Sequence, residues 1–319
     1  MANAKHQLLS AKNKNYMRPT LKKGDQGPYV KELQQYLGLA QDGIFGAVTE
    51  QHVIKFQSAQ GLYPDGVVGN QTWQKLSPIT PQNTSFHACV ARFVPLLDGQ
   101  FNPDKTTKKG VTLHHTVSDG NPDTVVRVWN QDSRGAVGTH FVIGRETLSG
   151  NKDNDGTIIQ TMPIDAWGWH MLTTRMGFSS QHNTLANQMY IGIELCSLGC
   201  LKKVGDKFYT IDSTIEIPKN QVCTLETPFR TYKYWHKYTS EQIDALYELL
   251  IALQDHFTFR YAKDIEIGVK VDENWAELSW DAMNFNRVLT SHTSFEAGKF
   301  DIFPQPELLE MLHKVYYGA

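Results

Sequence analysis

"VTLHHTVSDG", residues 111–120, is an apolar run that ends in two adjacent histidines and breaks into a Ser, Asp, Gly turn. Such a run closed by turn formers reads as a buried strand. Successive side chains of a strand point to opposite faces, so His114 and His115 cannot both serve one site. The stretch alone leaves open which of them, if either, carries chemistry, because a histidine at a strand end is commonly a satisfied structural residue. Partners have to be sought elsewhere in the chain.

Outward from this strand, the pattern alternates strands with helices. "NPDTVVRVWNQ" (121–131) supplies Asn121 as an N-cap and Pro122 at the first helical position. "GTHFVIGRETLSGNKDNDGTIIQTM" (138–162) holds two strand-like runs joined by a long connection ending in Asp155 and Gly156, which reads as a hairpin. "MYIGIEL" (189–195) is a further strand. "TSEQIDALYELLIALQDHF" (239–257) opens with a capping-box spacing, Thr239 to Gln242, and lines up Ile243, Leu246, Leu250, Leu253 and Phe257. The order predicts an α/β (α+β) domain, a mixed central sheet flanked by helices.

The 319 residues leave room for two domains, and 40% hydrophobic with 20% charged residues is ordinary globular composition. A net charge of -2 provides no basic field, so nucleic acid is not an expected partner. The first 25 residues lack the apolar core of a secretory signal, and no apolar run approaches the ~18 residues of a membrane span. Synthesis in the cytoplasm, without stable membrane insertion, is therefore expected. Four cysteines, Cys89, Cys196, Cys200 and Cys223, are too sparse for a disulfide scaffold and read as free thiols.

At the front, "DGIFGAVT" (42–49) returns as "DGVVGNQT" (65–72), a 23-residue repeat of turn, apolar residue, Gly and helix start. "GPYVKELQQYLGL" contributes a stripe of Val30, Leu33, Tyr36 and Leu37, and Val53, Ile54 and Phe56 recur at helical spacing before Gly61. A small all-α unit of about three short helices is expected over 21–77, after an N-terminal arm, 1–20. "SPITPQNTSFH", rich in Pro, Ser and Thr, places a linker at 78–87 and the larger domain at 88–319. Residues 21–76 resemble the helical peptidoglycan-binding domain appended to many cell-wall hydrolases, which implies a wall-binding role for this unit.

"TSHTSFEAGKFD" (290–301) offers His292 and Asp301, with Lys299 two positions before the Asp. Two histidines and a carboxylate satisfy a catalytic zinc that keeps an open position. Among 12 histidines, spacing alone does not make such a set meet.

"VTLHHT", "VGTHFVIGR", "DGTIIQTMPIDAWGWH", "YIGIEL", "YTSEQIDALYELLIAL" and "SHTSFEAGKFD" together resemble, in order and spacing, the zinc-dependent type 2 N-acetylmuramoyl-L-alanine amidases, relatives of the peptidoglycan recognition proteins. The resemblance spans most of 108–303. It implies Zn2+ held by His114, His292 and Asp301, with His115 facing away. It also implies Glu194 as the group that takes the attacking water's proton, and Lys299 beside the developing oxyanion. His140, Trp167, Trp169 and His170 are implied as substrate-groove residues.

Two departures stand out: "DIFPQP" follows the last ligand, and the stretches 197–237 and 258–288 have no counterpart in the minimal domain. The implied activity is hydrolysis of the amide between N-acetylmuramic acid and the L-alanine of the stem peptide. The modular layout implies an endolysin-like enzyme, taken as a monomer, that reaches the wall after holin-type or other non-standard release. A recognition protein that keeps the fold without the chemistry is the alternative, and a site turned to another amide or ester a third.

Overall fold

The computed structural model describes residues 20–76, 89–118, 120–212 and 215–318. The chain divides into two units, 1–83 and 84–319. The expected linker at 78–87, and all of the expected arm except Thr20, lie outside the described residues.

The first unit contains α1 (Pro28–Tyr36), α2 (Ala47–Ala59) and α3 (Asn70–Leu76). Its repeat is built on two buried glutamines. Gln34 Nε2 donates to Asp42 Oδ1 (2.6 Å) and to the Ile44 carbonyl (3.1 Å), while its Oε1 accepts from Gly43 N (2.9 Å). One repeat later Gln57 makes the same bonds to Asp65 (2.9 Å), Val67 (2.9 Å) and Gly66 (2.9 Å). Each amide thereby satisfies the polar backbone of a turn that would otherwise be buried unpaired. The turn glycines, at φ 75° and 74°, occupy the left-handed region that a side chain disfavours.

This wiring corrects the expected helix faces. Val30 and Leu33 join the core with Val53, Phe45, Val68 and Trp73, but Tyr36 is 37% exposed. On α2 the fully buried line runs Thr49, Val53, Gln57, because Gln57 has to reach the turn, while Phe56 packs against the same core and is partly buried.

The larger unit is organised by a six-stranded sheet in the order β1–β4–β3–β5–β2–β11. The strands are β1 (Arg92–Phe93), β2 (Gly110–His115), β3 (Phe141–Ile143), β4 (Ile158–Gln160), β5 (Tyr190–Leu195) and, late in the chain, β11 (Leu289–Ser291). Only β3 and β4, the two arms of the long-looped hairpin, are antiparallel, so the sheet is mixed.

Helix α4 (Pro122–Trp129) starts at Asn121, whose side chain accepts from Asp123 N; α5 (Ser180–Met189) leads directly into β5. Helix α6 (Ser240–Phe257) opens with the full capping box of Thr239 and Gln242. After it come α7 (Lys263–Glu266), α8 (Trp280–Met283), α9 (His292–Phe295) and α10 (Pro306–Tyr317). Val111, Leu113, Phe141, Ile143, Ile191, Ile193 and Leu195 share one core with Ile243, Leu246, Leu250 and Leu253 of α6 and Leu308 and Leu312 of α10.

The stretch 197–237 carries a second sheet, wholly antiparallel, in the order β8–β7–β6–β10–β9. Its strands are β6 (Cys200–Val204), β7 (Lys207–Thr210), β8 (Glu216–Ile217), β9 (Val222–Phe229) and β10 (Tyr232–His236). Trp235, fully buried, joins it to the main core. A polar clamp holds the junction: His236 Nδ1 accepts from Leu198 N (2.9 Å) and from Arg145 Nη1 (2.8 Å). That leaves its Nε2–H to donate to Gln221 Oε1 (3.2 Å).

The stretch 258–288 is tied down by Asp264. Its carboxylate accepts from Val288 N (2.6 Å), Leu289 N (2.9 Å) and the Tyr316 hydroxyl (3.1 Å), fixing the start of β11.

The four cysteines are free thiols, Cys196 buried and the others half-buried. Among the described residues no helix is long and apolar enough to cross a membrane.

Candidate metal centre

Strands β5, β2 and β11 are parallel neighbours, with His114 paired to Glu194 and Leu113 to Ser291. Their carboxyl ends thus deliver Glu194, His114 and His292 side by side, where open α/β sheets gather their functional groups. Strand alternation answers the question raised by the histidine pair. His114 shares its face with Thr112 and with Glu194 across the strand pair. His115 points into the aromatic core, where its Nδ1 lies 2.8 Å from the Tyr238 hydroxyl and its ring packs near Trp235 and Phe303. Gly192, two residues before Glu194, makes room on the site face: a Cβ there would lie 2.6 Å from Thr139 and 3.2 Å from the His170 ring.

Three side-chain atoms converge. His114 Nδ1 is 3.0 Å from His292 Nδ1 and 3.2 Å from Asp301 Oδ2, and His292 Nδ1 is 2.9 Å from the same oxygen. Around a tetrahedral ion with bonds of about 2.0–2.1 Å, donor atoms lie about 3.3 Å apart. The donors are two imidazole nitrogens and a carboxylate oxygen, all buried or nearly so and within 4.8 Å of one another, a donor set and spacing that fit a zinc-type ion.

The outer contacts continue the pattern. His114 Nε2 is 3.0 Å from His170 Nδ1, and His292 Nε2 faces Glu296 Oε2 at 3.6 Å. Among the described residues Glu194 Oε2 and His170 Nε2 are buried polar atoms without a hydrogen-bond partner, the condition expected of groups kept for a substrate.

The electrostatics separate the groups. Burial lowers His114 to about 4, so it is neutral and ready to ligate. Burial raises Asp301, but the charge of His292 and hydrogen bonds from both histidines outweigh it and hold the carboxyl well below its usual range. Burial, reinforced by the Asp301 carboxylate and opposed by His292 and Lys299, pushes Glu194 up to about 8. A carboxyl poised near neutral pH is suited to taking up and giving back a proton. Lys299 is half-buried, and its positive charge acts on Glu194, His114 and His292.

The expected groove residues divide. Trp169 and His170 are half-buried. His140 is a correction: it is wholly buried, its Nδ1 accepts from Gly192 N (3.2 Å) and its Nε2 donates to the Ala166 carbonyl (2.9 Å). No ring nitrogen remains for a substrate, so His140 braces the floor of the site. Trp167, at 6% exposure, backs Trp169 edge-on, ring centroids 5.0 Å apart, while its backbone pairs with Asn102.

Glu296 and its partner Arg175 were not singled out from sequence. The spacing of His292 and Glu296, four apart at a helix start, is the signal that could have found them.

Fold and converging donors define an α/β protein with a candidate metal site of two histidines and an aspartate. The chain matches the family model of N-acetylmuramoyl-L-alanine amidases over residues 104–274, more than half its length, and belongs to that family. Residues 26–76 match a peptidoglycan binding domain. The amidase match includes His114 and Glu194 and ends before His292, Lys299 and Asp301.

A Burkholderia AP3 phage endolysin is 40% identical over 19% of this chain and 25% of its own, with a TM-score of 0.19. The endolysin N-acetylmuramoyl-L-alanine amidase LysCS from Clostridium intestinale is 15% identical over 70% of this chain and 95% of its own, at a TM-score of 0.36. An uncharacterized protein of Kitasatospora aureofaciens is 43% identical over 74 residues, 21% of this chain; the chain spans 63% of that relative's length.

Proposed function

We propose that this chain is a zinc-dependent peptidoglycan hydrolase that cuts the amide between N-acetylmuramic acid and the L-alanine of the stem peptide. The observation that carries this reading is the triangle of His114 Nδ1, His292 Nδ1 and Asp301 Oδ2 beside a half-buried Glu194 paired in register with His114. His114, His292 and Asp301 hold the ion. When bound, it supplies Lewis acidity, polarising the scissile carbonyl and making water acidic enough to attack at neutral pH.

Glu194 receives the proton of the attacking water and passes it to the leaving amine of L-alanine. The ammonium of Lys299 offsets the charge that develops on the acyl oxygen. Trp169 and His170, the half-buried members of the expected groove, contact the sugar and the acyl group. The N-terminal unit holds the enzyme on the wall, and release to the wall follows the holin-type or other non-standard route of an endolysin.

The test is digestion of purified peptidoglycan by the ion-loaded protein, the chelated protein and His292→Ala, followed by mass spectrometry. Intact glycan plus stem peptides beginning with L-alanine, lost on chelation and in the variant, is the expected result. Cleavage at another bond would change the reaction assigned. Binding to several wall types without cleavage would make the chain a recognition protein.

A further inference from the structure

His292 has two ring nitrogens, and the expected ligand set uses only one. Its Nδ1 faces His114 and Asp301, which leaves Nε2, buried and without a hydrogen bond, pointing at Glu296 Oε2 across 3.6 Å. Glu296 is itself buried at 3% exposure. Its other oxygen, Oε1, accepts from Arg175 Nη1 at 2.6 Å. Arg175 lies in the one-turn helix Thr173–Met176, just beyond His170, so it reaches Glu296 from a separate segment of the chain. The orphaned Nε2 and Oε2 thus face each other, one short of a donor's acceptor and the other short of a donor.

Resting on the metal reading above, we propose that Glu296, fixed by Arg175, is a positioning residue that holds His292 in the tautomer able to ligate. An imidazole that gives its Nδ1 lone pair to an ion must carry its proton on Nε2. A carboxylate waiting there selects that tautomer, orients the ring and raises the basicity of Nδ1. A neutral acceptor in the same place selects the tautomer without raising the basicity as far. Arg175 keeps the carboxylate from turning away, and its 61% side-chain exposure means that it does so from the surface.

The experiment measures Zn2+ affinity of the full chain by competition with a chromophoric chelator, and the visible spectrum of the Co2+-loaded protein. It compares wild type, Glu296→Gln, Glu296→Ala and Arg175→Met, with melting of each ion-free protein as the folding control. Removing an outer partner of a ligating histidine typically weakens metal binding about 10- to 100-fold. The expected order of loss is Glu296→Ala, then Glu296→Gln, then Arg175→Met, with altered Co2+ bands and little change in ion-free melting.

Zn2+ affinity of Glu296→Ala within about threefold of wild type overturns the proposal. Should Glu296→Ala unfold, unchanged affinity and Co2+ bands in both folded variants overturn it equally. Wild type that binds no ion, or an ion that His114→Ala does not release, overturns the metal centre itself together with this inference.

Discussion

At the scale of single residues, the two adjacent histidines are an internal control for one another. On the proposed ligand set His114 supplies a metal-binding atom, so His114→Ala is expected to abolish tight Zn2+ binding, measured by calorimetric titration. His115→Ala reverses the pattern: the ion still binds at one per chain, while stability falls by about 2–3 kcal/mol. The cause is the cavity beside Trp235 and Phe303 and the stranded Tyr238 hydroxyl. Ion loss in His115→Ala would reverse the assignment of faces. Glu194 allows a separate prediction. Glu194→Gln keeps its shape and is expected to lower peptidoglycan hydrolysis by about 10²–10⁴-fold with Zn2+ affinity intact. Hydrolysis near the wild-type rate would remove Glu194 from the proton path.

Elements show what the sequence displayed and what it hid. The strands around His114 and Glu194 and the hairpin were legible as apolar runs, buried on nearly every residue and closed by turn formers, and helix α6 through its apolar stripe and its own cap. The repeat was legible through its Asp, Gly and Thr positions, yet the glutamine that makes it work lies eight residues before the Asp and resembles any polar helix residue. The second sheet was hidden for a different reason. Its strands are short and carry exposed lysines, as at Lys202 and Lys203, so no clean alternation marks them, and Trp235 finds its core only in three dimensions. Gln57→Ala tests the wiring of the repeat. It leaves Gly66 N without its acceptor while Asp65 Oδ1 keeps only Val67 N, and the Gly66 amide is expected to lose most of its hydrogen-exchange protection while Gly43, bonded to Gln34, keeps its own. Equal loss at both amides would mean that the repeats melt as one.

At the scale of the whole molecule, distance along the chain decided what could be foreseen. Two of the three ligands lie beyond the segment 258–288, which Asp264 ties to the sheet, and no local pattern announces that β11 returns beside β2. The resemblance carried that step. Burying so many histidines has a consequence for the whole chain that the charge count does not suggest. In the ion-free protein burial lowers His114 and His115 to about 4 and His140, His170 and His236 well below 6.5. Each is neutral in the native chain when its unfolded counterpart, near 6.5, is already protonated. Below that pH the unfolded state binds more protons at these five sites, so stability falls as pH falls. Burial also raises Glu194, Asp155 and Asp264, which take up protons in the native state first and oppose the trend with at most three protons. Despite its burial His292 is raised by Asp301, but its unfolded form is largely protonated in the same range, and it adds little. The histidines outnumber the opposing carboxyls, so the chelated protein is expected to lose stability as the pH falls from 7 to 5. Urea midpoints of the chelated protein across pH 7 to 5 measure this directly. A midpoint that holds steady or rises on acidification would mean that the buried histidines take up protons in the native chain, which for His236 would set an Nδ1–H against the Arg145 guanidinium and break the clamp.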